Sequence, residues 1–299
     1  MNADTNLNQN ILETTNKEQI RNRRNLDFAV HILFILSIMF GIVALLTLII
    51  DVVLDGLKYF TWHLFTNYPS RKPELSGLKS ALVGTTYMLC ILVPLSFIVG
   101  VGGAIYLEEY AKKNRLTRFI QLNISTLAGV PSIVYGILGL TLFVRGLDFG
   151  RSLLAGSLTM TLLVLPIIIV AAQEAIKAVP KNRRDASYAL GATKWQTVQK
   201  AVLPSAISGI LTGMILAVSR AIGETAPLVM IGALTFVAFL PESIFDQFTV
   251  LPIQIYSWIG KPQIAFHDLA AAGIMLLLIL LITLNLSAVL LRNKYQKRN

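Results

Sequence analysis

Six long apolar runs dominate the pattern of hydrophobic and polar positions along this chain. A helix needs about 20 mostly apolar residues to cross a hydrocarbon core of about 30 Å. The pattern therefore predicts six membrane-spanning helices, at residues 28–50, 80–107, 119–144, 153–172, 204–240 and 269–291. The run at 204–240 is too long for one span, so we expect its helix to end near Ile231, followed by a re-entrant or outer segment.

The overall composition supports a membrane protein. Of the 299 residues, 55% are hydrophobic and only 14% are charged, and the mean hydropathy is +0.66. Soluble domains carry roughly 25% charged residues and about 45–50% apolar ones. These values exclude soluble globular, disordered and disulfide-scaffold classes. The predicted fold class is an all-α integral membrane protein with six transmembrane helices.

The positive charge predicts an orientation. The net charge is +10, but the basic residues lie in short clusters between the apolar runs, a pattern typical of membrane topology rather than of nucleic-acid binding. Of 26 Lys and Arg residues, 18 lie in the N-terminal segment, the second and fourth loops and the C-terminal tail, against seven in the other loops. This bias places both termini in the cytoplasm. The remaining basic residue, Arg220, lies inside an apolar run.

The fourth loop, at residues 173–203, is long and rich in helix-forming residues. Asp185 is suited to the start of a helix through Leu190, because its charge faces the positive end of the helix. Gly191 is expected to end that helix, a second helix is expected at 193–202, and Pro204 is suited to open the next span. A solvated amphipathic connector is the simplest interpretation of such a loop.

The spacing of this loop resembles the EAA loop of the type I ATP-binding-cassette (ABC) importer permeases, whose pattern is E-A-A-x3-G-x9-I-x-L-P. The chain departs from it at Asp185, Ser187 and Ala201. The resemblance implies that the loop docks on a separate ATPase and transmits its movement. The implied coupling residues are Asp185, Ala186, Ser187, Gly191, Leu203 and Pro204. Consistently, the sequence has no G-x-x-x-x-G-K-[ST] phosphate loop of its own.

Arg220 and Glu224 form a charged pair inside the fifth apolar run. A spacing of four predicts that they share one helix face. A charge at the bilayer centre costs at least about 2.5–3.5 kcal/mol, so such residues usually face the protein interior or a water-filled path. The pair either locks helices together or places a guanidinium on an anion path. Pro227 is expected to kink the helix beside it.

Residues 220–228 (RAIGETAPL), with 185–197 and 108–111, are similar to the PstA-type phosphate permeases of the same importer family. The resemblance implies a MetI-like permease fold and a substrate pathway that includes Arg220, Glu224 and Thr225. It also implies a division into an N-terminal cytoplasmic tail (1–27), a first span with its outer loop (28–78), a permease core (79–291) that holds the coupling loop, and a C-terminal tail (292–299).

The same resemblance implies an assembly in the bacterial cytoplasmic membrane. Its expected members are this chain, a paralogous permease as heterodimer partner, two ATPase subunits and an extracytoplasmic phosphate-binding protein, with inorganic phosphate as substrate and lipid around the complex. We expect no catalytic residue and no cofactor in this chain, because ATP and Mg²⁺ belong to the partner ATPase.

Two alternatives differ in substrate or energy source. One is a permease for another oxyanion, such as phosphonate, sulfate or molybdate, and the other is a secondary phosphate carrier driven by protons or sodium. No metal site is expected, since His31, His63 and His267 are scattered without metal-ligand spacing.

Overall fold

The computed structural model describes residues 2–233 and 236–296, and within them the regular structure is helical. Short 3₁₀ and π-helical segments join the α-helices. The α-helices of the described residues are α1 (Asn2–Gly56), α2 (Trp62–Thr66), α3 (Lys79–Ile105), α4 (Arg115–Leu127), α5 (Ser132–Gly139), α6 (Leu153–Lys177), α7 (Lys181–Ala189), α8 (Lys194–Thr197), α9 (Leu203–Gly223), α10 (Ala226–Ile231), α11 (Leu251–Ile259) and α12 (Ile264–Gln296).

Five helical runs of the described chain are long and apolar enough to cross a membrane. They are Leu26–Tyr59, Lys79–Tyr110, Leu153–Lys177, Lys194–Gly223 and Ile264–Leu290. A sixth span is possible only if the bent pair Arg115–Leu127 and Ser132–Gly146 counts as one. The all-α membrane fold predicted from the sequence is therefore confirmed, with one span broken.

The predicted span at 119–144 is divided into two helices, α4 and α5 with its π-helical extension. Its two helices meet at 108°. The break falls before Pro131, whose ring disfavours the helical conformation of the residue that precedes it. The hydroxyl of Tyr135 donates to the carbonyl of Leu127 across the bend at 2.9 Å, and the same carbonyl accepts from the backbone N–H of Val130 at 3.0 Å.

The predicted run at 204–240 is interrupted earlier than expected. The helix ends at Gly223, and the short α10 then ends at Ile231, where Gly232 adopts a positive φ of 82°. Residues 234 and 235 of that run lie outside the described residues, as do 297–299 of the predicted C-terminal tail.

The chain divides into two compact units, Met1–Leu54 and Asp55–Asn299. The described part of the first unit is one helix, so the polar segment predicted as an N-terminal tail is helical from Asn2. The second unit contains all the other helices and both hydrophobic cores.

The larger core lies around α6, which packs between α3 and α9. Small residues allow these helices to approach closely, as is common in membranes. A methyl group added to Gly209 would come within 2.7 Å of the Cβ of Ala175, and one added to Gly100 within 2.7 Å of Ile168. The result is a tightly packed three-helix centre, against which α5 and α10 also pack.

The second core joins α11, α12 and the segment around α2, with Trp258, Phe266 and Leu64 fully buried. The segment before α11 also caps the N-terminal end of α6. The backbone N–H groups of Leu153 and Leu154 donate to the carbonyls of Asp246 and Ile244, each at 2.9 Å. These bonds satisfy helix-terminal donors that would otherwise lack partners.

Candidate translocation and coupling sites

The Arg220–Glu224 pair lies where α9 gives way to α10. Glu224 has extended backbone angles (φ −77°, ψ 126°) immediately after the end of α9, and Thr225 immediately precedes α10. The prediction that the pair shares one continuous helix face, with a kink at Pro227, is therefore wrong. Pro227 is near the start of the new helix α10, where a missing N–H removes no helical hydrogen bond.

The two charges nevertheless meet across the break. The Nε of Arg220 donates to Oε1 of Glu224 at 3.1 Å. The Arg220 side chain is 48% exposed and that of Glu224 is 21% exposed. Within the described residues, the two terminal nitrogens of the guanidinium have no hydrogen-bond partner. Glu224 thus orients Arg220 while leaving N–H donors available for an anion.

Three polar neighbours of this site were not singled out from the sequence. Tyr135 of α5 lies within electrostatic range of Arg220. The hydroxyl of Ser219, the residue before Arg220, donates to Oδ1 of Asn285 in α12. A polar Asn inside an apolar run is the signal that could have found this contact, because such residues often form hydrogen bonds between membrane helices.

The short helices α5 and α10 pack against each other beside this site. A methyl group added to Gly136 of α5 would come within 2.7 Å of the Cα of Pro227 in α10. The backbone in the middle of α5 therefore lies against the backbone at the start of α10, and the position of one short helix depends on the other.

The coupling loop has the predicted helix–turn–helix form with different boundaries. The first helix, α7, begins at Lys181 after Pro180, so Asp185 lies in its middle and does not start it. The fixed φ of Pro180, −60°, determines where the helix starts. Gly191 ends the turn with a positive φ of 80°, as expected for a residue without a side chain.

The second part of the loop runs without interruption into the membrane. Thr193 and Gln196 form a reciprocal capping box at the start of α8. A π-helical segment, Val198–Val202, then connects α8 to α9. Pro204 lies in the first turn of α9, as predicted, but the helical run that enters the membrane begins earlier, at Lys194. Pro204 follows the π-helical segment, whose altered hydrogen-bond pattern accommodates a residue without an N–H.

Arg184 joins the coupling loop to the helix bundle. Its guanidinium donates to Glu109 at 2.9 and 3.2 Å, to the carbonyl of Val179 at 2.6 Å and to that of Ile176 at 2.9 Å. The side chains of Arg184 and Glu109 are only 18% and 10% exposed. Glu109 lies just after α3. Ile176 is in the last turn of α6 and Val179 follows its end, so one side chain fixes α7 to the ends of two helices.

The motif residues of the loop differ in their surroundings. The hydroxyl of Ser187 forms a hydrogen bond of 2.9 Å with that of Thr197, which links α7 to α8. Asp185, Ala186 and Gly191 are exposed, whereas Leu203 and Pro204 are partly buried. The turn also exposes large apolar side chains, Leu190 at 89% and Trp195 at 56%. Exposed apolar groups of this kind are typical of a docking surface.

A family model described as "binding-protein-dependent transport system inner membrane component" matches residues 93–298. The chain belongs to this family. The matched residues include α6 to α10, and so contain both the Arg220 site and the coupling loop. The chain is therefore a transmembrane component of a transport system, in line with its multi-pass helical structure.

Curated relatives cover most of the chain. It is 30% identical over 282 residues to the phosphate transport system permease protein PstA of Yersinia pestis, which covers 93% of each chain. It is 34% identical over 216 residues to PstA 1 of Mycobacterium tuberculosis (72% of this chain, 70% of the relative). It is 32% identical over 249 residues to the probable ABC transporter permease protein YqgI of Bacillus subtilis, and the alignment covers 79% of this chain and 85% of that relative.

Among solved structures, the fold is similar to a chain of the MetNI methionine ABC transporter in an inward-facing conformation. The TM-score is 0.58 with 18% sequence identity, over 71% of this chain and 94% of that one. At this identity the likeness concerns the fold, which agrees with the predicted MetI-like permease architecture.

Proposed function

We propose that this chain is the transmembrane permease subunit of an ATP-driven phosphate importer. It forms half of the translocation pathway and couples that pathway to a separate ATPase. The observation that carries the proposal is the guanidinium of Arg220, held through Nε by Glu224 at a helix break with its two terminal nitrogens uncommitted. The phosphate permeases among its relatives support the choice of substrate.

The chemistry of Arg220 suits a tetrahedral oxyanion. A guanidinium presents parallel N–H donors that form paired, charge-assisted hydrogen bonds with phosphate oxygens. Because Glu224 takes up only the Nε donor, it keeps the guanidinium in place and lowers the cost of a charge inside the membrane. Thr225, partly buried next to Glu224, lies beside the same pathway.

The loop between α6 and α9 is the coupling element. The exposed turn around Leu190 docks in a groove of the ATPase, and the Arg184–Glu109 ion pair passes the movement of α7 to α3 and α6. ATP and Mg²⁺ bind to that partner, and this chain contributes no catalytic residue and binds no cofactor.

The complete transporter contains this chain, a paralogous permease, two ATPase subunits and an extracytoplasmic phosphate-binding protein. It lies in the cytoplasmic membrane of a bacterium, with the coupling loop and both termini in the cytoplasm. The excess of basic residues in these segments supports that orientation.

The proposal is tested by uptake of [³²P]phosphate into proteoliposomes that contain the purified complex. We expect uptake to require ATP and the binding protein, and to be blocked by excess unlabelled phosphate but not by sulfate or molybdate. Uptake that is driven by a proton or sodium gradient without ATP would contradict the proposal that ATP is the energy source. Equal competition by sulfate or molybdate would contradict the substrate.

A further inference from the structure

A cavity of about 780 Å³ lies at the end of the helix bundle that carries α7, well separated in sequence from the Arg220 site. Its wall is formed by the residues after α3, the first turn of α4 and the last residue of α6. Four basic side chains line it. They are Lys113, Arg115, Arg118 and Lys177.

The basic side chains outnumber their acidic partners. Lys177 pairs with Glu174 at 2.9 Å and with Glu108, the carboxylate of the cavity wall, at 3.6 Å. In the described part of the chain, Lys113, Arg115 and Arg118 form no ion pair. The cavity therefore has an excess of positive charge and several uncommitted N–H donors.

The backbone of α4 adds to this field. Asn114 caps the helix by accepting from the N–H of Thr117 at 2.8 Å, and both residues line the cavity. The positive end of a 13-residue helix thus points to the same space as the basic side chains. The polar face of α4 continues into an adjoining cavity of about 290 Å³, lined by Gln121, Ser125 and Gln173 as well as Arg118 and Lys177.

We propose that this cavity is a second anion site, distinct from the Arg220 pathway, and that it binds a phosphate group. The group is either free orthophosphate or the headgroup of an anionic lipid, since both present the same charged oxygens to guanidinium and ammonium donors. The proposal goes beyond the transport function and does not depend on which substrate the chain carries.

The site is connected to the coupling loop through adjacent residues. Glu108 lines the cavity, and the next residue, Glu109, holds Arg184 of α7. An anion bound to Lys177 competes with Glu108 for that ammonium group. Occupancy therefore changes the charge balance one residue away from the ion pair that fixes α7.

The test uses the intact complex in lipid nanodiscs, in an Arg220→Gln background so that the pathway site does not contribute. Binding of [³²P]orthophosphate is measured by equilibrium dialysis in phosphatidylcholine nanodiscs and in nanodiscs that also contain phosphatidylglycerol. Lipid retained by the complex is identified by mass spectrometry. Arg118→Gln is compared with Lys112→Gln, which removes the same charge from an exposed neighbouring residue outside the cavity lining.

Arg118 is exposed, and among the described residues its side chain forms no ion pair or hydrogen bond, so its replacement is not expected to disturb folding. We expect Arg118→Gln to weaken orthophosphate binding about tenfold, the effect of losing one charge-assisted hydrogen bond, and Lys112→Gln to leave it unchanged. If phosphatidylglycerol prevents orthophosphate binding, and the Arg118→Gln complex retains less of this lipid than the parent complex, the site is occupied by lipid.

Two outcomes overturn the proposal. One is that neither orthophosphate nor phosphatidylglycerol binds to the complex. The other is that binding of both is the same in Arg118→Gln, Lys112→Gln and the parent complex. Loss of transport in Arg220→Gln is measured separately, so failure of this site and failure of the transport proposal give different results.

Discussion

At the scale of single residues, Arg183 and Arg184 show how differently two adjacent basic residues can be placed. Arg183 is exposed and donates to the hydroxyl of Ser205 at 2.6 Å. Arg184 is largely buried against Glu109 and two backbone carbonyls. In the sequence both belong to one cluster of positive charge. Such a cluster indicates the orientation of the chain in the membrane, but it does not indicate which of the two residues attaches the loop to the helix bundle.

We expect Arg184→Gln to destabilise the coupling loop, because Glu109 and two carbonyls lose a charged donor. Removing one partner of a largely buried pair costs about 3 kcal/mol. The complex should retain less ATPase on co-purification and should unfold at a lower temperature in a detergent thermostability assay. Lys181→Gln is the matched control, because it removes one positive charge from an exposed residue of the same helix, and it should behave like the wild type.

A double variant separates the ion pair from other effects of the substitution. Glu109→Gln combined with Arg184→Gln should be less damaging than the sum of the single changes, because neither charge is then left unpaired. Strict additivity of the two losses would show that the pair does not carry the attachment.

Gly191 is the residue at which the turn of the coupling loop depends on backbone conformation. Its φ is +80°, and a side chain there would meet no atom within 4 Å. We expect Gly191→Val to lower ATPase-coupled uptake through strain of about 1–3 kcal/mol. Gly191→Asn should retain most of the activity, since Asn tolerates this conformation. Equal uptake by the Val and Asn variants would indicate that the positive φ is not needed.

At the scale of helices, the two interrupted segments meet beside the charged pair. Gly136 of α5 lies against Pro227 at the start of α10. Broken helices leave polar backbone groups that are tolerated at membrane depth where they face protein or a water-filled cavity.

We expect Gly136→Ala to reduce uptake about tenfold, because its methyl group would lie 2.7 Å from the Cα of Pro227 and would force the two helices apart. Gly102→Ala is the control, since a methyl group there meets no atom within 4 Å. Both complexes should purify with the ATPase. Normal uptake by Gly136→Ala would show that the close contact is not required for transport.

The helices also show what could be predicted from the sequence. The length and hydropathy of the apolar runs determined the spans, because lipid imposes both. Pro227 indicated that the fifth run would be irregular. The sequence did not indicate the 108° bend before Pro131 or the interruption at Glu224, which lie where α5 and α10 pack against each other. The start of α7 was misplaced because Pro180 outweighs the charge of Asp185 at a helix start.

At the scale of the whole molecule, the distribution of positive charge predicts the orientation in the membrane. The segments on the side of the coupling loop hold 18 of the 26 Lys and Arg residues. The positive-inside rule therefore predicts that this loop and both termini lie in the cytoplasm.

The orientation can be measured by labelling single cysteines with a membrane-impermeant maleimide, in a Cys90→Ser background. In intact cells we expect Leu147→Cys to be labelled and Ala189→Cys to be labelled only after permeabilisation. Both positions are exposed in the structure, so access depends on the side of the membrane. The reverse pattern would invert the predicted topology.

The central claim is that phosphate crosses the membrane past Arg220 at the expense of ATP hydrolysed by a partner. The most direct test compares ATP-driven [³²P]phosphate uptake by proteoliposomes of the wild-type complex, Arg220→Gln and the exposed control Arg145→Gln. We predict that Arg220→Gln falls to the background rate while still co-purifying with the ATPase, and that Arg145→Gln matches the wild type. Uptake by Arg220→Gln at the wild-type rate would contradict the account.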